Sequence, residues 1–390
     1  MGFRKSKLWL VFGLVLVMIL TLTGQVTGAN DNGKLQRFIV TFPPNAPINN
    51  AALEGLAHRF GGDVVPLPLV NGALVIVPPT ARGLLESFPG AFVEEDGIVT
   101  IVGIGDTADA EVAAAWGVDR IDAEKAWGIT TGTGVKVGII DTGINYNHPD
   151  LAGAYTGGYD YVNKDTYPVD DNGHGTHVAG TVAAVHGNGG VAGVAPGASL
   201  YAYKVLNASG SGYWSNVIAA LGQAVTDGVK VVNMSLGANS APRALQTACD
   251  NAYSAGVLLV AAAGNDGKGS VSYPARYNSV IAVAATNSAD QRPWWSNFGS
   301  KIELAAPGVS VYSTYLGEGY TTLSGTSMAT PHVTGAAALV FASGQATTAS
   351  GVRTILRQTA DDLGKAGKDK YYGYGLVDAE QATTGVQTLP

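Results

Sequence analysis

Apolar residues in this chain gather in short dense runs, and most runs end on a small or polar residue. Gly134-Val135-Lys136-Val137-Gly138-Ile139-Ile140 is one such run, and it stops at Asp141. Residues 199–205, 229–235, 258–263 and 279–285 are others. Runs this short and this poor in charge fit strands buried on both faces of a parallel sheet. Between them apolar residues recur at helical spacing, over 178–185, 216–226 and 241–252, and the alanine-rich stretch 333–340 reads as a buried helix. Strand and helix alternate, so the expected class is α/β, with a mainly parallel central sheet flanked by helices. Functional groups in such sheets collect at the carboxyl ends of the strands. Asp141, Ser235 and Asn265 all lie there.

The first third of the chain has a different rhythm. A strand is expected over 38–42, stopped by Pro43-Pro44, then a helix over 51–60 introduced by Asn50 and ended by Gly61-Gly62. A second strand over 73–77 meets Pro78-Pro79, and a short helix over 81–88 and a strand over 91–96 follow. Two helices on a small sheet make a separate α+β domain, marginal in stability by itself. Residues 103–115 are small, polar and without strong periodicity, which suits an exposed boundary and cleavage point. The larger domain begins near 110. Ahead of all this, Arg4, Lys5 and Lys7 precede an apolar run over 8–20, and small residues lead to Thr27-Gly28-Ala29. That order is a secretory signal, with an apolar run short for a bilayer span. The expected product is secreted and extracellular, with no stable membrane association once the signal is cut.

Composition narrows the picture. The chain has 390 residues, 46% of them hydrophobic, enough for one large core and a smaller domain. Net charge is -7 and no basic tract is long enough to follow a phosphate backbone, which argues against nucleic acid as a partner. Cys249 is the single cysteine, so the chain has no internal disulfide and no CxxC metal site. Its place in a helical stretch suits a small buried hydrophobe.

Chemistry enters at Gly325-Thr326-Ser327-Met328-Ala329-Thr330-Pro331-His332, where a small-residue turn runs into an apolar helix. Ser327 then sits at a helix start, either as a capping serine or as a nucleophile whose neighbouring N–H groups face an anion. A serine hydroxyl needs a base that is neutral near pH 7, which favours histidine. Of six histidines, His174 has the strongest setting, in Asp171-Asn172-Gly173-His174-Gly175-Thr176-His177. Asp141, at the end of a buried strand, is a carboxylate that could orient it.

These stretches, Val137-Gly138-Ile139-Ile140-Asp141-Thr142-Gly143, His174-Gly175-Thr176-His177-Val178-Ala179-Gly180 and Gly325 to His332, resemble the three signatures of the subtilisin-like serine proteases, in that family's order. The likeness covers about 110–385, and residues 36–97 resemble the family's inhibitor-type propeptide. The resemblance implies Ser327 as nucleophile, His174 as general base and then acid, and Asp141 as its orienting carboxylate. Asn265 and the backbone N–H of Ser327 would form the oxyanion hole; Asn265 between glycines would otherwise be a turn residue. His177 and His332 would be structural, and no zinc site is expected. Ser235-Leu236-Gly237 and Ala262-Ala263-Gly264 resemble the walls of the primary specificity pocket, with Ser272 at its base. No carboxylate in these segments could receive a basic side chain, which implies large apolar or aromatic residues before the cut. Gly210-Ser211-Gly212 resembles the edge that pairs with extended substrate. Trp214 and Val217 would line a more distant apolar subsite. Tyr273-Pro274 resembles the family's cis peptide bond.

The resemblance also implies structural calcium, bound by Asp150 and the carbonyls of Val185, Gly189 and Val191. Gly187 stands where the family often has an asparagine ligand. No organic cofactor is implied. The expected domains are a signal peptide over 1–29, a propeptide over 30–108 that assists folding and inhibits, and a catalytic domain over 109–390. The expected protein is a monomeric, secreted endopeptidase of broad specificity, self-processed from a zymogen and acting on polypeptides. An esterase or sequence-selective processing protease on the same residues, and a silent binding module, are the alternatives.

Overall fold

The computed structural model describes residues 35–101, 104–105, 115–187 and 190–386. The signal stretch over 1–29, most of the 103–115 boundary, Asn188 and Gly189 lie outside the described residues. Residues from 35 onward form one compact unit.

Seven parallel strands make the central sheet, in the order Leu304–Pro307, Val280–Thr286, Leu258–Ala262, Val231–Met234, Lys136–Asp141, Ser199–Lys204, Tyr155–Asp160. Strand residues point alternately to the two faces. Accordingly Val137, Ile139, Leu200, Val231 and Leu258 enter one apolar cluster, while Ile140, Tyr203, Val232 and Leu259 enter another. Helices His174–Ala183 and Thr326–Ser343 cover the first face, and Trp214–Thr226 and Arg243–Ser254 the second. The expected α/β class is therefore the observed one. Cys249 is buried in the second cluster, where desolvation pushes its thiol up and keeps it protonated.

The N-terminal layer is an antiparallel sheet in the order Val64–Leu67, Gly72–Val77, Gln36–Thr41, Phe92–Glu95. One face packs on helices Asn50–Arg59 and Arg82–Glu86 through Phe38, Val40, Leu53, Val75 and Leu85. The opposite face, with Ile39, Leu67, Val70 and Leu74, joins the cluster beneath Trp214–Thr226 and Arg243–Ser254. The N-cap of the first helix is Asn49, one residue before the expected Asn50.

Those two helices of the larger layer start without capping side chains of their own. Carboxylates of the N-terminal layer supply the acceptors instead. Glu94 accepts from the N–H groups of Arg243 (2.6 Å) and Ala244 (3.1 Å). Buried Asp96 accepts from the Ser215 N–H at 2.8 Å, from the Ser215 hydroxyl, and from Arg37 Nε at 2.7 Å. Anions are favoured at a helix N-terminus because four N–H groups there lack partners.

Candidate active site

Asp141 is the last residue of the strand Lys136–Asp141, whose apolar residues are locked in both core layers. The strand thereby carries a carboxylate to a fully buried point at the carboxyl edge of the sheet. Its Oδ1 accepts from the Thr142 N–H at 2.7 Å and lies 2.8 Å from His174 Nδ1. A carboxylate can only accept at that distance, so Nδ1 carries the proton. His174 Nε2 is then the basic nitrogen, buried and without a partner among the described residues.

His174 opens its helix, one residue beyond Gly173. Gly173 has φ +104, and a Cβ there would lie 2.3 Å from the Tyr315 ring, so only glycine fits. Asp170 organises the approach. Its carboxylate accepts from the N–H groups of Asn172, Gly173 and Thr176 and from the hydroxyls of Thr142 and Thr176. The loop after Asp141 is thus tied to the first turn of the histidine helix. Lys204, also buried, adds a bond from Nζ to the Thr142 carbonyl at 2.6 Å and reaches Asp171 at 2.5 Å.

Ser327 is the second residue of the helix Thr326–Ser343 and is fully buried. Its hydroxyl donates to the Ser235 carbonyl at 3.0 Å. Asn265 lies across the same space. Its Oδ1 accepts from the Thr326 N–H at 3.0 Å and the Thr326 hydroxyl at 2.9 Å, and the Thr326 hydroxyl accepts from the Gly264 N–H. These bonds fix which end of the amide is which. The Asn265 Nδ2 group is left buried with no acceptor among the described residues. Leaving such a donor unmet costs about 1–3 kcal/mol, tolerable where an incoming group supplies the acceptor.

The other two helix histidines are built into the core. His177 Nε2 donates to the carbonyls of Val311 and Thr321, and burial pushes its pKa down to about 3. His332 Nδ1 donates to the Met328 carbonyl, and burial pushes it down to about 4. Both are neutral at pH 7, as a packed imidazole should be.

Ser235, Leu236, Gly237, Ala262, Ala263 and Gly264 are all buried around this point. Ser272 joins them through its N–H, which donates to the Ala263 carbonyl at 2.9 Å. Gly264 has φ +106, and a Cβ there would lie 2.6 Å from the Ser272 hydroxyl. Trp214 and Val217 are buried beside Val99 in one apolar cluster. Gly210 turns at φ +69 just before the edge strand Ser211–Tyr213. Tyr273-Pro274 is cis.

The chain's own segment lies in the cleft. Strand Ile98–Ile101 runs antiparallel between Ser211–Tyr213 and Leu236–Gly237, with Thr100 opposite both Ser211 and Gly237 and Ile101 opposite Leu236. Beyond it, Ile104 pairs with Ser324 and Gly105 with Leu323. Sequence patterning missed this strand because its partners are remote in the chain.

Asp150 is almost fully buried, and the 185–191 loop begins and ends on it. The Val185 N–H donates to the Asp150 carbonyl, and the Val191 N–H and the Tyr320 hydroxyl donate to its Oδ2. Gly187 brings no side-chain oxygen. No group of three or more His, Cys, Asp or Glu side chains could hold a metal among the described residues. A single buried carboxylate, with no such group around it among the described residues, suits a hard cation such as calcium and not zinc.

Among sequence families, the subtilase family model matches residues 132–375. The chain is 50% identical over 273 residues to subtilisin DY of Bacillus licheniformis, covering 68% of this chain and 97% of that protein. It is 46% identical over 268 residues to thermitase of Thermoactinomyces vulgaris, covering 68% and 95%. Against subtilisin E of Bacillus subtilis it is 39% identical over 391 residues, covering 97% of this chain and 99% of the relative.

Proposed function

Because the chain belongs to the subtilase family and is a serine endopeptidase, we propose that it is a secreted, self-processing protease with Ser327, His174 and Asp141 as its reacting group. The observation that carries the mechanism is the fixed tautomer of His174: Nδ1–H on Asp141, Nε2 free. His174 Nε2 takes the proton of the Ser327 hydroxyl as the oxygen attacks the peptide carbonyl carbon. Asp141 holds the ring and stabilises the imidazolium. The charge that develops on the carbonyl oxygen meets Asn265 Nδ2 and the Ser327 N–H. The imidazolium returns its proton to the leaving amine, an acyl-enzyme remains, and water hydrolyses it with His174 again as base.

Pocket walls of serine, leucine, alanine and glycine favour large apolar or aromatic residues before the cut. Casein should be digested broadly, and a peptide library should show cuts after Phe, Tyr, Leu or Met at least about tenfold faster than after Lys or Arg, whose charge would be buried without a partner in such a pocket. A preference for paired basic residues would overturn this reading.

The N-terminal layer is read as the inhibitory segment. A separate sheet with its own small core, a cavity of about 750 Å³ against the larger layer, and a strand laid through the cleft all support it. Ile101 pairs next to Ser235, whose carbonyl bonds Ser327, and Ile104 pairs three residues before Ser327. This register supports self-processing at a bond between Ile101 and Ile104 as the reading to test against the 108–109 junction expected from the sequence.

Calcium is read as structural, held by Asp150 and the carbonyls of Val185, Gly189 and Val191. At about a hundred times its Kd it would add about 2.7 kcal/mol, several degrees in Tm. Calorimetry in EGTA against millimolar calcium measures this. An unchanged Tm, with Asp150→Asn also indifferent to calcium, would remove the site.

A further inference from the structure

The helix that carries Ser327 contains Pro331, four residues on. In an α-helix the carbonyl of residue i accepts from the N–H of residue i+4. Proline has no N–H, so the Ser327 carbonyl is released from the helical ladder. It is buried, and an unmet buried carbonyl is costly. The Ser235 hydroxyl fills the gap, donating to it at 2.7 Å, while the Ser327 hydroxyl donates back to the Ser235 carbonyl at 3.0 Å. Two reciprocal bonds therefore tie Ser327 to the pocket wall; the one through its hydroxyl opens when that proton passes to His174, while the one at its carbonyl can persist.

Ser235 is itself held. Asn233 Nδ2 donates to the Ser235 hydroxyl at 2.9 Å, and Asn233 Oδ1 accepts from the Thr334 hydroxyl at 3.0 Å. Asn233 is fully buried within a strand whose other residues are valine and methionine. An amide there is disfavoured unless it is bonded. Its bonds run from the strand to the wall on one side and to the serine helix, two turns along from Ser327, on the other. None of these groups takes part in the proton transfers described above.

We propose that Ser235, oriented by Asn233 and admitted to the Ser327 carbonyl by Pro331, is a positioning residue that sets where the nucleophile stands relative to the pocket wall. This rests on the reading of Ser327 as the nucleophile. The wall chooses the side chain to be bound and the serine attacks the adjoining carbonyl carbon. An error between them of an ångström is felt in the rate.

The test uses the full chain, matured by a trace of wild-type enzyme where self-cutting is slow, with active sites counted by a fluorophosphonate. Ser235→Ala and Asn233→Leu should each lower kcat per labelled site about tenfold, the worth of one net hydrogen bond. KM for a tetrapeptide p-nitroanilide should stay within about threefold, and the acid limb of the pH profile should not move, because the base is untouched. The double variant should be no worse than the poorer single, as expected of groups acting as one unit. Pro331→Ala restores a competing N–H to the Ser327 carbonyl, so its kcat should fall several-fold while its Tm holds or rises. A merely structural Asn233 or Pro331 would lower Tm and leave kcat per labelled site unchanged, which would overturn the proposal. Should Ser235→Ala or Asn233→Leu fail to fold, Pro331→Ala decides it alone. Failure of wild type to take up the fluorophosphonate would instead overturn the reading of Ser327.

Discussion

Ser327→Ala is expected to abolish peptide hydrolysis and to leave the N-terminal layer covalently attached. The loss in kcat should reach about a million-fold, the figure known for the same change in subtilisin. The physical reason is that His174 Nε2 then has no positioned hydroxyl to deprotonate, which leaves only the residual rate that oxyanion stabilisation and binding give with water. Intact mass separates two consequences. Wild type should lose its N-terminal segment and present a new amino terminus at residue 102, 103 or 104. Purified Ser327→Ala should stay uncut. Cutting of the alanine variant at the wild-type rate would show that another protease does the work. A wild-type terminus at 106 or beyond would show that the strand opposite Leu236 is not in a productive register.

The second large effect is expected at Asn265. Asn265→Leu keeps the volume and removes the unpartnered Nδ2. In subtilisin the corresponding loss of one oxyanion donor costs about 10²–10³ in kcat, and a loss of that order, with KM nearly unchanged, is expected here. The amide Nδ2 has no acceptor among the described residues, so it is free to bond the carbonyl oxygen, and a bond that strengthens as charge develops there lowers the barrier without lowering KM. Stopped-flow acylation with a peptide ester would measure it directly. A rise in KM with kcat intact would mean that Asn265 binds substrate and does not stabilise the oxyanion. Thr326 shares in the effect, because its N–H and hydroxyl hold the amide oxygen.

Much of this was readable in the chain. Five of the seven parallel strands announced themselves as apolar runs because both their faces are buried. The edge strand Tyr155–Asp160 did not, since Tyr-Thr-Gly-Gly-Tyr-Asp has no such run and only one neighbour to pair with. Asp141, His174 and Ser327 stood out because each follows or opens an element at its end. Asp170 did not: beside Asp171 it looks like a second solvated charge, and only the fold shows that it gathers five donors. Asn233 was hidden in the same way inside an apolar strand. The helix at Ser327 begins where the small-residue turn at Gly325 placed it, although only 333–340 of its length reads as an apolar run. The roles of Glu94 and Asp96 depend on helices over a hundred residues away, which no local pattern can reveal.

Those two carboxylates also give the molecule a history. Helices Trp214–Thr226 and Arg243–Ser254 start on N–H groups that acids from another layer satisfy. On the proposed self-processing, departure of a segment ending near residue 102 would hand those N–H groups to water, and the remaining chain would lack the groups that helped those helices begin. The precursor and its product would then have different landscapes. The product would occupy a structure reached with assistance it had since lost, preserved by the height of the barrier to unfolding and not by its rank among folded states. Processing in that sense would act as a ratchet: it would open the cleft and remove the route back.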